Sequence, residues 1–330
     1  MLEHGGRLLR AVQQYGIPRE QWLDLSSGIA PWPFPIPPIP ADAWARLPEV
    51  EDGLEDAARA YYGASQLLPV AGSQAAIQAL PLLRAAGRTG VLTPCYAEHP
   101  YAWQRAGHQL VELDEAQVDA ALDSLDVLVL VNPNNPTGRR VPRETLLAWH
   151  ARLAARGGWL LVDEAFMDNT PADSVVGCAG RKGLIVLRSF GKFFGLAGVR
   201  LGFVAAERSL LLRLAELLGP WTVNGPTRVL AQASLADEAA QRMQTERCAA
   251  ASQRLATLLA STDLAPSGGC DLFQYVRSER AAPLHDFLAR RGILVRLFDH
   301  PPAVRLGLPE CAADEQRLAQ ALADYQKESA

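Results

Sequence analysis

Between residues 68 and 206, short apolar runs alternate with stretches whose apolar residues recur at helical spacing. The runs at 90–93, 125–131, 159–163, 184–188 and 201–204 have strand length and little polar alternation, as strands buried on both faces do. Between two of them, residues 144–156 place Leu146, Leu147, Trp149, His150 and Leu153 on a helical stripe, which predicts a crossover helix. A sheet covered by helices follows, so the fold class is α/β with a mostly parallel central sheet. Ahead of it, residues 31–40 are rich in proline, which suits an extended arm over the surface and neither helix nor central strand. After Pro226 a helical pattern runs to about Ser261, followed by a strand at 272–276, a helix at 283–291, a strand at 293–297 and a last helix at 313–326. The last helix keeps Leu318, Ala321, Leu322 and Tyr325 on one face. The expected organisation is a segment over 1–40 that forms an amino-terminal arm or part of the small domain, a large domain over 41–225 and a smaller α+β domain over 226–330.

A chain of 330 residues with 49% hydrophobic content can bury one large core and a smaller one. The formal charge of −4 balances 32 basic against 36 acidic residues without a basic block, so no nucleic acid partner is expected. The apolar run at 125–131 is too short to span a bilayer, and the first residues lack a signal peptide's apolar core, so no membrane partner and a cytoplasmic location are expected. Five scattered cysteines without a C-x-x-C pair read as free thiols, and six histidines without ligand spacing give no metal site. One count changes the picture. Only Lys182, Lys192 and Lys327 are lysines, so chemistry that needs a primary amine has three candidates.

Four features then occur in order at strand ends, where open α/β sheets bind ligands. Gly72-Ser73-Gln74 opens a helical run; it is either a plain cap or a helix start whose free N–H groups face a phosphate. Asn132-Pro-Asn-Asn-Pro-Thr-Gly138 follows a buried strand, and its prolines fix the Asn amides in a turn that is either bland or ligand-facing. Asp163 ends another buried strand, either as a helix cap or as a carboxylate opposite a protonated heterocyclic nitrogen. Arg188-Ser-Phe-Gly-Lys192 sets Lys192 among aromatic and glycine residues, where desolvation favours the nucleophilic amine, with Ser189 and Arg200 as flanking phosphate ligands. The alternative for Lys192 is a solvated loop lysine.

The order and spacing of Asn-Pro-x-Asn-Pro-Thr-Gly, Asp-Glu-Ala-Phe 28 residues beyond Asn135, and Ser-x-x-Lys with an Arg eight residues later resemble the fold type I pyridoxal-5'-phosphate (PLP) enzymes of the class I/II aminotransferase superfamily. The resemblance implies that Lys192 carries PLP as a Schiff base and that Asp163 pairs with the ring nitrogen. It implies further that Asn135 meets the ring 3'-oxygen, that Tyr96 stacks on the ring, and that Ser73, Gln74, Ser189 and Arg200 hold the phosphate. In such enzymes two subunits share their sites, which makes a homodimer the expected assembly and Tyr61 a candidate for the neighbour's phosphate. Arg305 matches the arginine that binds substrate carboxylate. Within the superfamily, His4-Gly-Gly, Asp24-Leu-Ser-Ser-Gly28, Asp-Glu-Ala-Phe166 and Arg305-Leu-Gly-Leu-Pro309 resemble the threonine-phosphate decarboxylases of cobalamin biosynthesis. That resemblance implies a phosphorylated amino acid substrate, with His4, Arg296 and Arg305 as cationic contacts, Ser27-Gly28 assisting through its backbone, and the division between phosphate and carboxylate open. Two positions depart from related patterns: Phe166 stands where histidinol-phosphate aminotransferases have tyrosine, and Ala30 where the decarboxylases' arm commonly has asparagine. An aminotransferase for a substrate such as histidinol phosphate, and a PLP-binding protein without turnover, are the competing readings.

Overall fold

The computed structural model describes residues 4–329. They form two compact units: a large one, Phe34–Asn135 with Arg140–Arg242, and a small one gathering the chain up to Pro33, Pro136–Arg139 and Met243 onward. The divisions fall at Pro33 and Arg242, where the sequence set them at 40 and 225, and side chains explain the shift. Phe34 packs among Phe193 and Phe194, with ring centroids 5.9 and 4.7 Å away, and Arg228 pairs with Asp52 at 2.6 Å and Glu55 at 2.8 Å. Both belong to the large unit. The proline-rich stretch is irregular, as expected, yet it is anchored, because Trp32 and Phe34 are buried.

The large unit is built on a seven-stranded sheet comprising β1 (Leu68–Val70), β2 (Arg88–Leu92), β3 (Gln109–Leu113), β4 (Val127–Val131), β5 (Trp159–Asp163), β6 (Leu184–Ser189) and β7 (Gly202–Ala205). The order is β1-β7-β6-β5-β4-β2-β3, parallel from β6 to β3 and antiparallel at β7. Period-2 geometry sends successive side chains to opposite faces. Leu128, Leu130, Leu160, Val162, Leu184 and Val186 pack into one apolar cluster, while Val127, Val129, Leu161, Ile185 and Leu187 pack into another. Burial on both faces is why these strands read as unbroken apolar runs. It also means that β4, β5 and β6 end at one edge of the sheet, each followed by one of the motifs.

The small unit holds a four-stranded antiparallel sheet of β8 (Gly268–Cys270), β9 (Phe273–Arg277), β10 (Arg296–Asp299) and β11 (Pro302–Gly307), in the order β10-β11-β9-β8. A two-residue parallel ladder pairs Leu23 with Ile293 and Asp24 with Leu294. The helix Leu8–Tyr15 buries Ala11 in a cluster with Trp22, Ala289 and Leu294. The single helical pattern after Pro226 is two helices, Gly225–Ala236 and Glu238–Ala260. Asp237 separates them, and its side chain caps the second by accepting the Ala240 N–H at 2.9 Å. Among the described residues, no helix is long and apolar enough to cross a membrane, and no group of metal-ligating side chains occurs. None of the five cysteines is in a disulfide.

Candidate active site

In the loop after β4, two of the three asparagines are committed to the turn. Asn132 exchanges hydrogen bonds with Val141, donating to its carbonyl at 3.1 Å and accepting its N–H at 2.9 Å, and Asn134 donates to the Pro94 carbonyl at 2.8 Å. Asn135 lines a cavity of about 140 Å³ in the large unit, together with Ser73, Gln74, Tyr96, Asp163, Phe166, Ser189, Lys192 and Arg200. Nine residues singled out from separate motifs thus meet in one place.

Asp163 is 3% exposed at the end of β5. One oxygen accepts the Ala165 N–H at 3.1 Å, and the other lies 2.8 Å from Nε2 of His99. An ionised carboxylate only accepts, so this geometry places the proton on Nε2. His99 is buried in the first turn of the helix Glu98–Arg105, its ring 6.2 Å from that of Tyr96, and was not singled out from the sequence. Lys192 lies on the single turn Phe190–Phe193, with Nζ 5.8 Å from the centre of the Phe166 ring. Phe190 and Phe194 stack at 4.2 Å and fix that turn from behind.

The polar end of the cavity is tight. Arg200 adopts φ +57, a left-handed conformation unusual for a side-chain-bearing residue, and a Cβ on Gly72 would stand 2.6 Å from its guanidinium. A Cβ on Gly202 would stand 2.5 Å from the Ser73 nitrogen, so only glycine lets β7 pass this close to the start of the helix Ser73–Ala79. The Gln74 side chain turns aside, accepting the Tyr96 hydroxyl at 3.2 Å and donating to Glu98 at 2.8 Å, so its backbone N–H is the group left for a phosphate. Burial, then the nearby Glu98 carboxylate, push the Tyr96 phenol up to about 12, keeping it protonated.

Behind this edge lies a buried ion cluster. Arg188, on β6, reaches Glu164 at 2.9 Å and Asp168 at 3.1 Å, with its guanidinium 4.6 Å from the Tyr62 ring centre. Burial alone would lower the arginine, but the two carboxylates more than reverse this and hold it above its usual range. Glu164 is raised by its own burial despite Arg188, Ser174 and the Val175 N–H. Tyr61 does not line the cavity; its hydroxyl donates to Asp168 at 3.1 Å.

The remaining expected contacts lie in the small unit. His4 and Arg296 line a second cavity, of about 380 Å³, with Arg7, Arg10, Ser26 and His285. Arg305 is 6% exposed on β11, donates to the Ser26 carbonyl at 3.2 Å and lies over the Phe273 ring. The register places Arg296 of β10 opposite Arg305 of β11. Like charges so placed repel unless an anion is supplied. Burial first, with Arg296 adding to it, lowers Arg305 to about 10. Ser27 presents its carbonyl against Gly307, where a Cβ would collide with it, and Gly28 is buried just beyond.

The group that the motifs imply fits the large unit's cavity. The tight polar end offers N–H groups, two hydroxyls and a guanidinium to a phosphate, the buried Asp163 offers a negative charge to a ring nitrogen, Tyr96 and Phe166 offer ring faces, and Lys192 offers the amine. Comparison with known proteins agrees. The family described as aminotransferase class I and II matches residues 44–323. The chain is 62% identical over 327 residues to a threonine-phosphate decarboxylase of Pseudomonas aeruginosa, covering 99% of each. It is 44% identical to a threonine-phosphate decarboxylase of a Sinorhizobium species, covering 97% of each. Its fold superposes with TM-score 0.85 and 22% identity on histidinol-phosphate aminotransferase from Sinorhizobium meliloti, solved in complex with pyridoxal-5'-phosphate, over 100% of this chain and 96% of that one.

Proposed function

The chain belongs to the aminotransferase class I and II family, and from that premise we propose that it is a PLP enzyme that decarboxylates L-threonine O-3-phosphate to (R)-1-amino-2-propanol O-2-phosphate and CO2 in cobalamin biosynthesis. The observation that carries this reading is the end-to-end likeness to decarboxylases of that substrate. The opposed Arg296 and Arg305 support it, since a doubly anionic substrate offsets their repulsion.

When bound, PLP supplies a protonated ring that accepts the electron pair released at the substrate's α-carbon. The protein's part is positioning and proton control. Ser73, Ser189, Arg200 and the backbone at Gln74 would hold the cofactor phosphate at the tight end of the cavity. Asp163, oriented by His99 and the Ala165 N–H, would offer its carboxylate to the ring nitrogen. Asn135 would offer its amide to the 3'-oxygen and Tyr96 its ring to the cofactor ring. Lys192 would be the amine that anchors the cofactor and the acid that returns a proton to the α-carbon. His4, Arg296 and Arg305, with the backbone at Ser27 and Gly28, would hold the anionic ends of the substrate. A homodimer in the cytoplasm completes the reading. It is supported by Trp44, Leu47 and Val50, exposed within one short segment of the large unit, and by five unpaired thiols; light scattering returning a monomer would remove the dimer.

The test is incubation of the holoenzyme with L-threonine O-3-phosphate and no keto acid. Repeated release of CO2 and aminopropanol phosphate is expected. Accumulation of pyridoxamine phosphate without CO2 would overturn the reading in favour of an aminotransferase.

A further inference from the structure

Gln74 and Gln78 lie one turn apart on the helix Ser73–Ala79, so their side chains leave the same face. Both amides donate to one oxygen of Glu98, at 2.8 and 3.0 Å. A carboxylate only accepts, so each amide must turn its nitrogen to Glu98 and its carbonyl oxygen away. The Gln78 oxygen then accepts from Arg105 at 3.4 Å, and the Gln74 oxygen from the Tyr96 hydroxyl at 3.2 Å. Every donor in this chain points towards Glu98, which therefore sets its direction. The Tyr96 hydroxyl takes the donor's part, and a phenol pushed up to about 12 by burial and then by Glu98 keeps the proton that this needs.

Glu98 does not line the large unit's cavity, whereas Gln74 and Tyr96 do. It opens the helix Glu98–Arg105, where the helix dipole favours a negative charge, and Ala97 at the N-cap has no side-chain oxygen to hold the turn that carries Tyr96. One side chain away from a phosphate cradle, a carboxylate repels the phosphate. Charge alone therefore gives no reason for an acid at this place, and the acceptance of two amides does.

We propose that Glu98 is a positioning residue for the cofactor: through the Gln74 amide it holds the Tyr96 ring at the cofactor's face and leaves the Gln74 backbone N–H turned to the phosphate. The inference deepens the cofactor placement proposed above and rests on it.

The test titrates the apo-enzyme with PLP, read by equilibrium dialysis, and follows the circular dichroism of the bound cofactor's visible band, which reports the asymmetry around its ring. Glu98→Leu should weaken PLP about 3- to 10-fold, the worth of one hydrogen bond, and reduce the visible dichroism. Glu98→Gln, which keeps an acceptor oxygen and drops the charge, should stay within about twofold of wild type in affinity and keep the dichroism, and this rescue separates positioning from misfolding. Tyr96→Phe should lose as much as Glu98→Leu, and the double variant no more than either alone, since both break one chain. Glu98→Leu that binds PLP as tightly as wild type or tighter, Glu98→Gln as weak as Glu98→Leu, or losses that multiply in the double variant would each overturn the inference. Tyr96→Ala tests the placement beneath it: unchanged retention and dichroism there would take Tyr96 off the cofactor's face, whereas retention lost in Tyr96→Ala and kept in Glu98→Leu strikes the inference alone. Whether the wild type releases CO2 decides the decarboxylase reading and not this one.

Discussion

Replacing Arg188 by methionine isolates the buried ion cluster. The guanidinium and its two carboxylates are nearly inaccessible, with side chains 3% exposed for Arg188, 0% for Glu164 and 1% for Asp168. Methionine keeps much of the volume over Tyr62 but strands two buried carboxylates. Breaking a buried pair by removing one partner costs about 3–5 kcal/mol, a large share of a total that is roughly 5–15 kcal/mol for folded proteins. Urea denaturation of the holoenzyme should therefore show the midpoint falling sharply. The triple variant Arg188→Met, Glu164→Gln, Asp168→Asn should recover about 2 kcal/mol or more, since no charge is left unpaired. The pH dependence supplies a sign. In the single variant Glu164, raised by burial already in the native protein, loses its cation, so the folded state binds more protons and stability falls as pH rises. The variant should be more stable near pH 5.5 than near pH 8, and Glu164, already raised in the native protein, gives the wild type a weaker slope of the same sign. A loss below about 1 kcal/mol, or a triple variant no better than the single, would refute the account.

Two further outcomes follow from the site. Gly202→Ala should weaken PLP retention at least tenfold and lower stability by about 1–3 kcal/mol, because the new Cβ presses on the Ser73 nitrogen and the Arg188 carbonyl, 2.5 and 2.9 Å away; equilibrium dialysis reads the retention, and unchanged retention would show that the close approach is not needed. Arg305→Gln should raise KM for the anionic substrate by about 10- to 100-fold, the loss of one buried charge-assisted contact, while the urea midpoint changes little. A KM within twofold of wild type would take Arg305 out of substrate binding.

The parts legible in the sequence were those with local causes. The strand Trp159–Asp163 was readable to the residue because a strand buried on both faces has no polar interruption until its functional Asp163. Lys192 stood out because the chain has two other lysines, each in a polar setting. The misses depend on distant partners. The strand Pro302–Gly307 carries a buried arginine whose neighbours Tyr275 and Arg296 come from other strands, so its apolar pattern is broken at the position that matters. Glu164 reads as one more residue of a motif until Arg188 meets it. Arg7 and Arg10 look like the solvated side of a short helix, and only the facing strand makes them part of a cavity wall. The break at Asp237 was hidden because the helices on either side both satisfy the same period.

The two-residue ladder in the small unit bears on how the chain is made. Leu23 and Asp24 are translated well before their partners Ile293 and Leu294. At roughly 5–20 residues per second, the interval is on the order of tens of seconds. Throughout that time Trp22, Leu23 and Leu25, all buried in the finished protein, have no small-unit sheet to cover them. The large unit, most of it complete by Arg242, can form while the head of the chain still waits. Synthesis thus completes the large unit first and the small unit last, and the uncovered segment around Trp22 to Leu25 is where a chaperone or protease would find the nascent chain.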